Sequence, residues 1–363
     1  MRAARPVPPA AWMLSGAVAV GLAVLGVRSI AAHGSSAFYA QSDAFFFRIC
    51  ARAPLGPGRG FAAVGQLSEA PYRYGRIGLP LLGWLLALGR PAWVGWPPAV
   101  VSLGAIAAVP GLGAVVLSDL GAAPIAAAGV LLAPGLLFSS QHVYADPLAI
   151  ALLLLACVLD GRGKRAGALT VVAGAILVKE IAALALIPWF WQAIKRRDRD
   201  ACFSAAAALV PYVIWSVWIR ARLGEFPFLA HTYSRTGALA LPFAGIAKAM
   251  SAHTPGVGAM VVLTAVTVVL GAVAGRTARG TRIGQLAIVY AVLTVCLGMN
   301  TVAYPLECER VMAVAQVFAV LGIAVTVSGR RRHTVVSSPR SAVGVGAGRD
   351  AADHGLSARE HAL

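Results

Sequence analysis

Charge is scarce in this chain. Asp, Glu, Lys and Arg make up 12% of its 363 residues, about half of the ~25% that a soluble domain carries. With 59% hydrophobic residues and a mean hydropathy of +0.76, too few charged groups exist to clothe a water-facing globule, so the chain reads as a membrane protein. Cysteine is also sparse: the five (Cys50, Cys157, Cys202, Cys296 and Cys308) show no metal spacing and no CxxC. His142, His231 and His253 stand singly, again without ligand spacing. No Walker A, GxGxxG, HExxH or GxSxG motif is present, so nucleotide-driven pumping and the common hydrolase chemistries have no support. No sustained internal repeat is found. Lysine is limited to Lys164, Lys179, Lys195 and Lys248 against many arginines. The net charge of +17 does not indicate nucleic acid as a partner, because the basic residues fall in short clusters between apolar runs and form no domain-sized basic surface.

What is abundant is apolar sequence in spanning lengths. Arg2 and Arg5 precede an apolar run from 11 to 32, read as a retained first helix that leaves a polar loop at 33–76 outside. The next run, 77–89, is short for a span and is expected to lie in the interface or re-enter. Further apolar runs follow at 92–117, 124–138, 147–159, 167–178, 181–194, 201–219, 255–275, 283–303 and 311–328. Placing Arg162, Lys164 and Arg165 inside also puts Lys195 to Arg199, Arg276 to Arg282, and Arg330 to Arg332 inside. The expected fold is therefore all-α: a polytopic transmembrane helix bundle of about ten spans, with a short interfacial or re-entrant helix in the first exterior loop. Both termini are cytoplasmic in this reading. Residues 1–328 form the membrane domain, and 329–363, polar and aperiodic, form a disordered tail.

The same parity puts 139–146, 220–254 and 304–310 outside, with Lys179 and Glu180 at an outer helix tip. Seven of the 14 acids then lie on the outer face or its rim: Asp43, Glu69, Asp146, Glu180, Glu225, Glu307 and Glu309. Asp43, beside Phe45, Phe46 and Phe47, is a candidate base for an acceptor hydroxyl, or else an ordinary loop acid or N-cap. Tyr72, Arg73 and Arg76 sit in PYRYGR. There Tyr72 and Arg76 share a helix face suited to a phosphate, or serve as a headgroup-level anchor. Asp146, Lys179 and Glu180 cost ~2.5 to 3.5 kcal/mol each at membrane depth, so they face a cavity or a partner unless they sit in water; Lys179 and Glu180 could pair with lipid phosphate or with Asp146. Glu307 and Glu309 fit a first helical turn by dipole alone, whereas Arg310 does not and is a second phosphate candidate. Cys50 and Cys308 share the outer side, which leaves a disulfide open beside the reading as small apolar-tolerant residues.

The succession SDAFFFRIC, PYRYGRIGLPLLGWLLALGRP, ADPLAIALLLLA, LVKEIAALALIPW and ECERVMAVAQ resembles bacterial membrane glycosyltransferases of the GT-C type, which use polyprenyl-phosphate-linked sugars. It looks most like their actinobacterial mannosyltransferase-like branch. The likeness extends over most of residues 10 to 328 as short motifs. It implies an inverting transfer at the exterior face of the bacterial cytoplasmic (inner) membrane, from a polyprenyl-phosphate sugar donor to a glycan or lipid acceptor. Asp43 matches the family's first-loop acid, flanked by Ser42 and Ala44 where the family usually has an aromatic and a glycine. Asp146-Pro147 stands where Glu-Pro is common, Lys179-Glu180 matches the basic-acidic pair, and Arg310 matches the last-loop arginine. No DxD-type pair accompanies Asp43, so the divalent metal that some members of that type use has no support in the sequence, and no cofactor is expected. Two alternatives stay open: a transporter or flippase for a lipid-linked or anionic substrate, and a non-catalytic GT-C-like subunit.

Overall fold

The computed structural model describes residues 6–33, 42–55, 70–229, 239–253 and 255–336. Among these residues the chain is all-helical and contains no strand; the only extended pairing is an isolated bridge between Leu239 and Leu297. Among the described residues four stretches are long and apolar enough to cross a membrane: Pro97–Asp119, Arg199–Leu223, Val257–Thr277 and Glu307–Ser328.

Helix α1 (Pro9–His33) packs on α5 (Pro97–Asp119), which packs on α7 (Asp146–Gly161), and α7 packs on α8 (Arg165–Val178). On the other side α13 (Val257–Thr277) and α14 (Arg282–Val295) pack on each other and on the last helix, α16 (Pro305–Val336). One continuous apolar cluster, including Leu117, Leu154, Ile176, Trp189, Tyr290 and Phe318, joins the two halves. Small residues permit the close approach. A methyl on Gly271 or Gly275 of α13 would fall within 3 Å of Ala291 or Ile288 of α14, the kind of contact by which helices pack in a membrane.

The expected long runs are interrupted where the sequence supplies breakers. Residues 124–138 form a 3₁₀ stretch, Pro124–Leu132, and then a short helix α6 (Pro134–Ser139). The run 201–219 divides into α10 (Arg199–Ala207) and α11 (Val210–Leu223), with Pro211 in the first turn of the second. The run 283–303 stops at Val295 and resumes as α15 (Met299–Ala303). The stretch 77–89 contains α4 (Gly78–Leu86), whose nine residues cover about 13 Å, under half of a ~30 Å hydrocarbon core. Helix α16 runs on to Val336, past the expected boundary at 328, and the tail beyond lies outside the described residues. Cys50 and Cys308 are both free and buried, in separate apolar clusters, so no disulfide joins them. Glu69 and His231 lie outside the described residues.

Both ends of the bundle are polar. At one end Arg162 pairs with Asp119 at 3.1 Å, Arg282 pairs with Asp160 at 3.0 Å and stacks on Trp189, and Arg165 approaches Asp198 at 4.0 Å. The segments that begin α8, α10 and α14 therefore share one level. Asp146 and Asp160 sit 14 positions apart on α7, so the first turn of α7 stands about 21 Å from that level. The opposite end is where the candidate residues collect.

Candidate functional site

The site is built around a break in the helical ladder. Helix α8 ends at Val178; Lys179 is extended (φ −156°, ψ 120°), and a 3₁₀ turn, Glu180–Ala185, leads into α9 (Leu186–Arg196). The break turns Lys179 and Glu180 toward different partners. Gly78 makes room for it, since a Cβ there would lie 2.5 to 2.9 Å from Val178. That contact seats α4 against the break and brings Arg76, two residues earlier, beside Glu180. On the far side Gly135 of α6 does the same for α16: a Cβ would lie 2.2 Å from the carbonyl of Glu309, which brings Arg310 against the start of α7. There Asp146 occupies the first turn, with Pro147 behind it, where the unpaired amides of a helix N-terminus favour an acid.

Asp146 is the hub. Its carboxylate accepts a hydrogen bond from Lys179 Nζ at one oxygen and from Arg310 Nε at 3.2 Å at the other. The Asp146 and Lys179 side chains are 5% and 3% exposed and that of Arg310 is 2% exposed, so the trio is desolvated. Arg310 also donates to Glu307 at 3.0 Å, a carboxylate 43% exposed at the mouth, and its guanidinium lies 4.0 Å above the Tyr144 ring. A second pair flanks the trio: Arg76 donates to Glu180 at 2.9 and 3.1 Å and to the Tyr72 hydroxyl. Its guanidinium sits 4.3 Å over the Tyr72 ring. Arg73 stacks on Phe46 at 4.5 Å.

Tyr72, Arg76, Lys179, Glu307, Arg310 and Thr301 border a cavity of about 60 Å³. Below the trio a second, water-sized cavity of about 10 Å³ reaches down to Tyr290 between α7, α14 and α16. Burial works against ionisation of Glu180, but the adjacent Arg76 guanidinium outweighs it and holds the carboxyl down at about 2. Burial and the neighbouring charge of Arg76 pull Arg73 down to about 10. The lining of the 60 Å³ cavity carries Arg76, Lys179 and Arg310 beside one carboxylate, Glu307, while Asp146 and Glu180 pair with those cations from behind it.

Comparison with protein-family models, curated proteins and solved structures finds no match. The local chemistry therefore carries the reading. Of the residues singled out from sequence, Tyr72, Arg73, Arg76, Asp146, Lys179, Glu180 and Arg310 come together at this end. Asp43 lies in the first turn of α2 (Ser42–Arg52), one turn before Phe46; its side chain is outside the described residues. Arg76, read as a phosphate group's partner or a headgroup-level anchor, and Arg310, read as a second phosphate candidate, are each already paired with a carboxylate of the chain. Tyr144 is a member that sequence reasoning missed: it underlies Arg310, its backbone carbonyl accepts from Ser102 at 3.0 Å, and its ring stacks on Phe138. The only signal was an aromatic two residues before a membrane-boundary acid. Glu307, read as a dipole-satisfying acid, proves to be a direct partner of Arg310. His142 packs between Phe138 and Tyr144. Among the described residues no group of His, Cys, Asp and Glu could hold a metal ion.

Proposed function

We propose that this chain is a membrane glycosyltransferase that takes a sugar from a polyprenyl-phosphate donor and transfers it, with inversion, to a glycan or lipid acceptor. The observation that carries the reading is the gathering of Arg76, Lys179 and Arg310, from three distant parts of the chain, around one cavity at a single end of the helical bundle. In the reaction the acceptor oxygen attacks the anomeric carbon, the bond from that carbon to the phosphate oxygen breaks, and polyprenyl phosphate leaves with the electron pair. The acceptor proton passes to Asp43. Negative charge grows on the departing phosphate, and fixed cations in a dry recess stabilise it without reorganising. Arg73, stacked on Phe46, links the cationic end to the helix that carries Asp43.

The membrane in this reading is the bacterial inner membrane, crossed by about ten spans. The end bearing Arg162, Arg165 and Arg282 faces the cytoplasm, as do both termini, and the cavity opens outward. Cysteines introduced singly at Ser140 and Gln141, which are not buried, should react with an impermeant maleimide added outside intact cells; reaction only after permeabilisation would overturn the orientation.

The decisive assay uses membranes supplied with a polyprenyl-phosphate sugar. Asp43→Asn should lower transfer about 10²- to 10⁴-fold, the usual contribution of a general base. Undiminished transfer would remove Asp43 from the mechanism. A second reading, transport of an anionic or lipid-linked substrate, draws on the interrupted helix at Lys179, since transporters commonly place buried charge at such breaks. Substrate movement across the bilayer without any transfer, in the unsubstituted protein, would select it.

A further inference from the structure

A groove separate from the cavity above runs along the outside of the bundle between α8 and the α10–α11 pair, with a volume of about 420 Å³. Its floor is Leu169 and Ala208, both buried, and its walls are small: Ala166 and Ala173 on α8, Ala207 on α10. The space exists because the chain breaks between α10 and α11 and because Pro211, the next wall residue, stands in the first turn of the new helix. The groove opens sideways onto the exposed apolar face of Arg199–Leu223, where Phe203, Val210, Ile214 and Val217 are unburied. Its polar groups are few. Thr170 and Ser204 donate back to their own helices, to the carbonyls of Ala166 and Asp200.

Arg165 closes one end. Its contacts are long: 3.5 Å from Nη2 to the Ala201 carbonyl and 4.0 Å from Nη1 to Asp198. Asp198 itself accepts the amide of Ala201 at 2.8 Å as the cap of α10. The buried Nε of Arg165 has no hydrogen-bond partner, and neither does Nη2 of the neighbouring Arg162. Lys164 adjoins them and is exposed. The groove thus has an under-satisfied cationic head and an apolar body, which spans about 12 Å of α8 from Arg165 to Ala173.

We infer that this groove binds one acidic phospholipid from the surrounding leaflet, its phosphate on Arg165 at the groove's end and an acyl chain laid between α8 and α10–α11. Charge complementarity identifies the occupant. A zwitterionic lipid brings its own cation to a guanidinium end and gains less there, whereas a net-negative headgroup completes donors that the protein leaves unfilled.

The test uses the full chain in phosphatidylcholine nanodiscs doped with phosphatidylglycerol, with lipid retention after mild extraction read by native mass spectrometry and thermal stability read against added lipid. One phosphatidylglycerol per chain should be retained in preference to phosphatidylcholine. Arg165→Gln should weaken that retention about fivefold, the contribution of one basic side chain near an anionic lipid, while Arg165→Lys keeps most of it. Ala173→Phe fills the body with the charge intact and should weaken it similarly, whereas Arg220→Gln, at the opposite end of the same span, should leave it unchanged. Equal retention of the two lipids would overturn the proposal. So would parental affinity in Ala173→Phe, or competition by glycerol phosphate as strong as by the lipid, because either would reduce the site to surface charge.

Discussion

Replacing Asp146 tests the geometry of the cationic end most directly. Asp146→Asn keeps the shape of the side chain and removes the charge between two cations that are 3% and 2% exposed. A unit-charge pair about 4 Å apart interacts by about 4 kcal/mol at an effective dielectric of 20, and losing one member of a buried pair typically costs about 3 to 5 kcal/mol. The two cations are not equally affected. Arg310 keeps Glu307 at 3.0 Å, whereas among the described residues Asp146 is the carboxylate paired with Lys179. The penalty should therefore fall mainly on Lys179, and Asp146→Asn combined with Lys179→Met should be less destabilised than Asp146→Asn alone. The non-additivity should lie at the upper end of the ~0.5 to 3 kcal/mol seen for contacting residues. Equilibrium unfolding in detergent, followed through the tryptophans, measures all members of the cycle. An Asp146→Asn variant within about 0.5 kcal/mol of the parent, as for an ordinary surface substitution, would refute the buried-hub reasoning, and so would strictly additive changes.

Two further outcomes follow from the flanking contacts. Glu180 has its carboxyl held at about 2 against an ordinary 4.5, so its pairing with Arg76 contributes fully above pH ~4.5 and is lost as pH falls toward 2. Thermal stability should decline through that window, and Glu180→Gln should be less stable at neutral pH yet lose less on acidification; parallel pH profiles for the two proteins would contradict this. Gly78→Ala pushes a methyl into the backbone of Val178 and should cost about 1 to 3 kcal/mol as an overpacked contact. It should also separate Arg76 from Glu180, so that a subsequent Arg76→Gln adds little; full additivity in the unfolding midpoints would argue against Gly78 as the seat of that contact.

Much of the candidate cluster was legible before any coordinates, because a charge in an apolar sequence is conspicuous. Asp146, Lys179, Glu180 and Arg310 interrupt or border hydrophobic runs, and the insertion penalty alone says that each must find a partner or a cavity. Where the reasoning fell short, the missing information was pairing. Nothing in PYRYGR says that Arg76 will reach a glutamate 104 positions away, and Glu307 satisfied a helix-dipole rule without any mention of Arg310. Tyr144 could not be separated from other interfacial tyrosines. The uninterrupted runs at 124–138 and 283–303 also failed as single helices, because hydropathy counts apolar residues and is insensitive to where Pro134 or Gly298 ends the hydrogen-bond ladder.

The sequence by itself determined the solvent and the secondary structure: a chain this poor in charge, with apolar runs of spanning length, satisfies its backbone in helices, and its few charges become expensive. Only the tertiary structure decided which charges meet. That choice rests on close helix contacts, Gly78 on Val178 and Gly135 on Glu309, and on the break at Lys179 that aims two adjacent residues at different partners. Helical periodicity fixes the neighbours of a residue within a turn or two, whereas the partner of Asp146 across 164 positions is set by how helices pack.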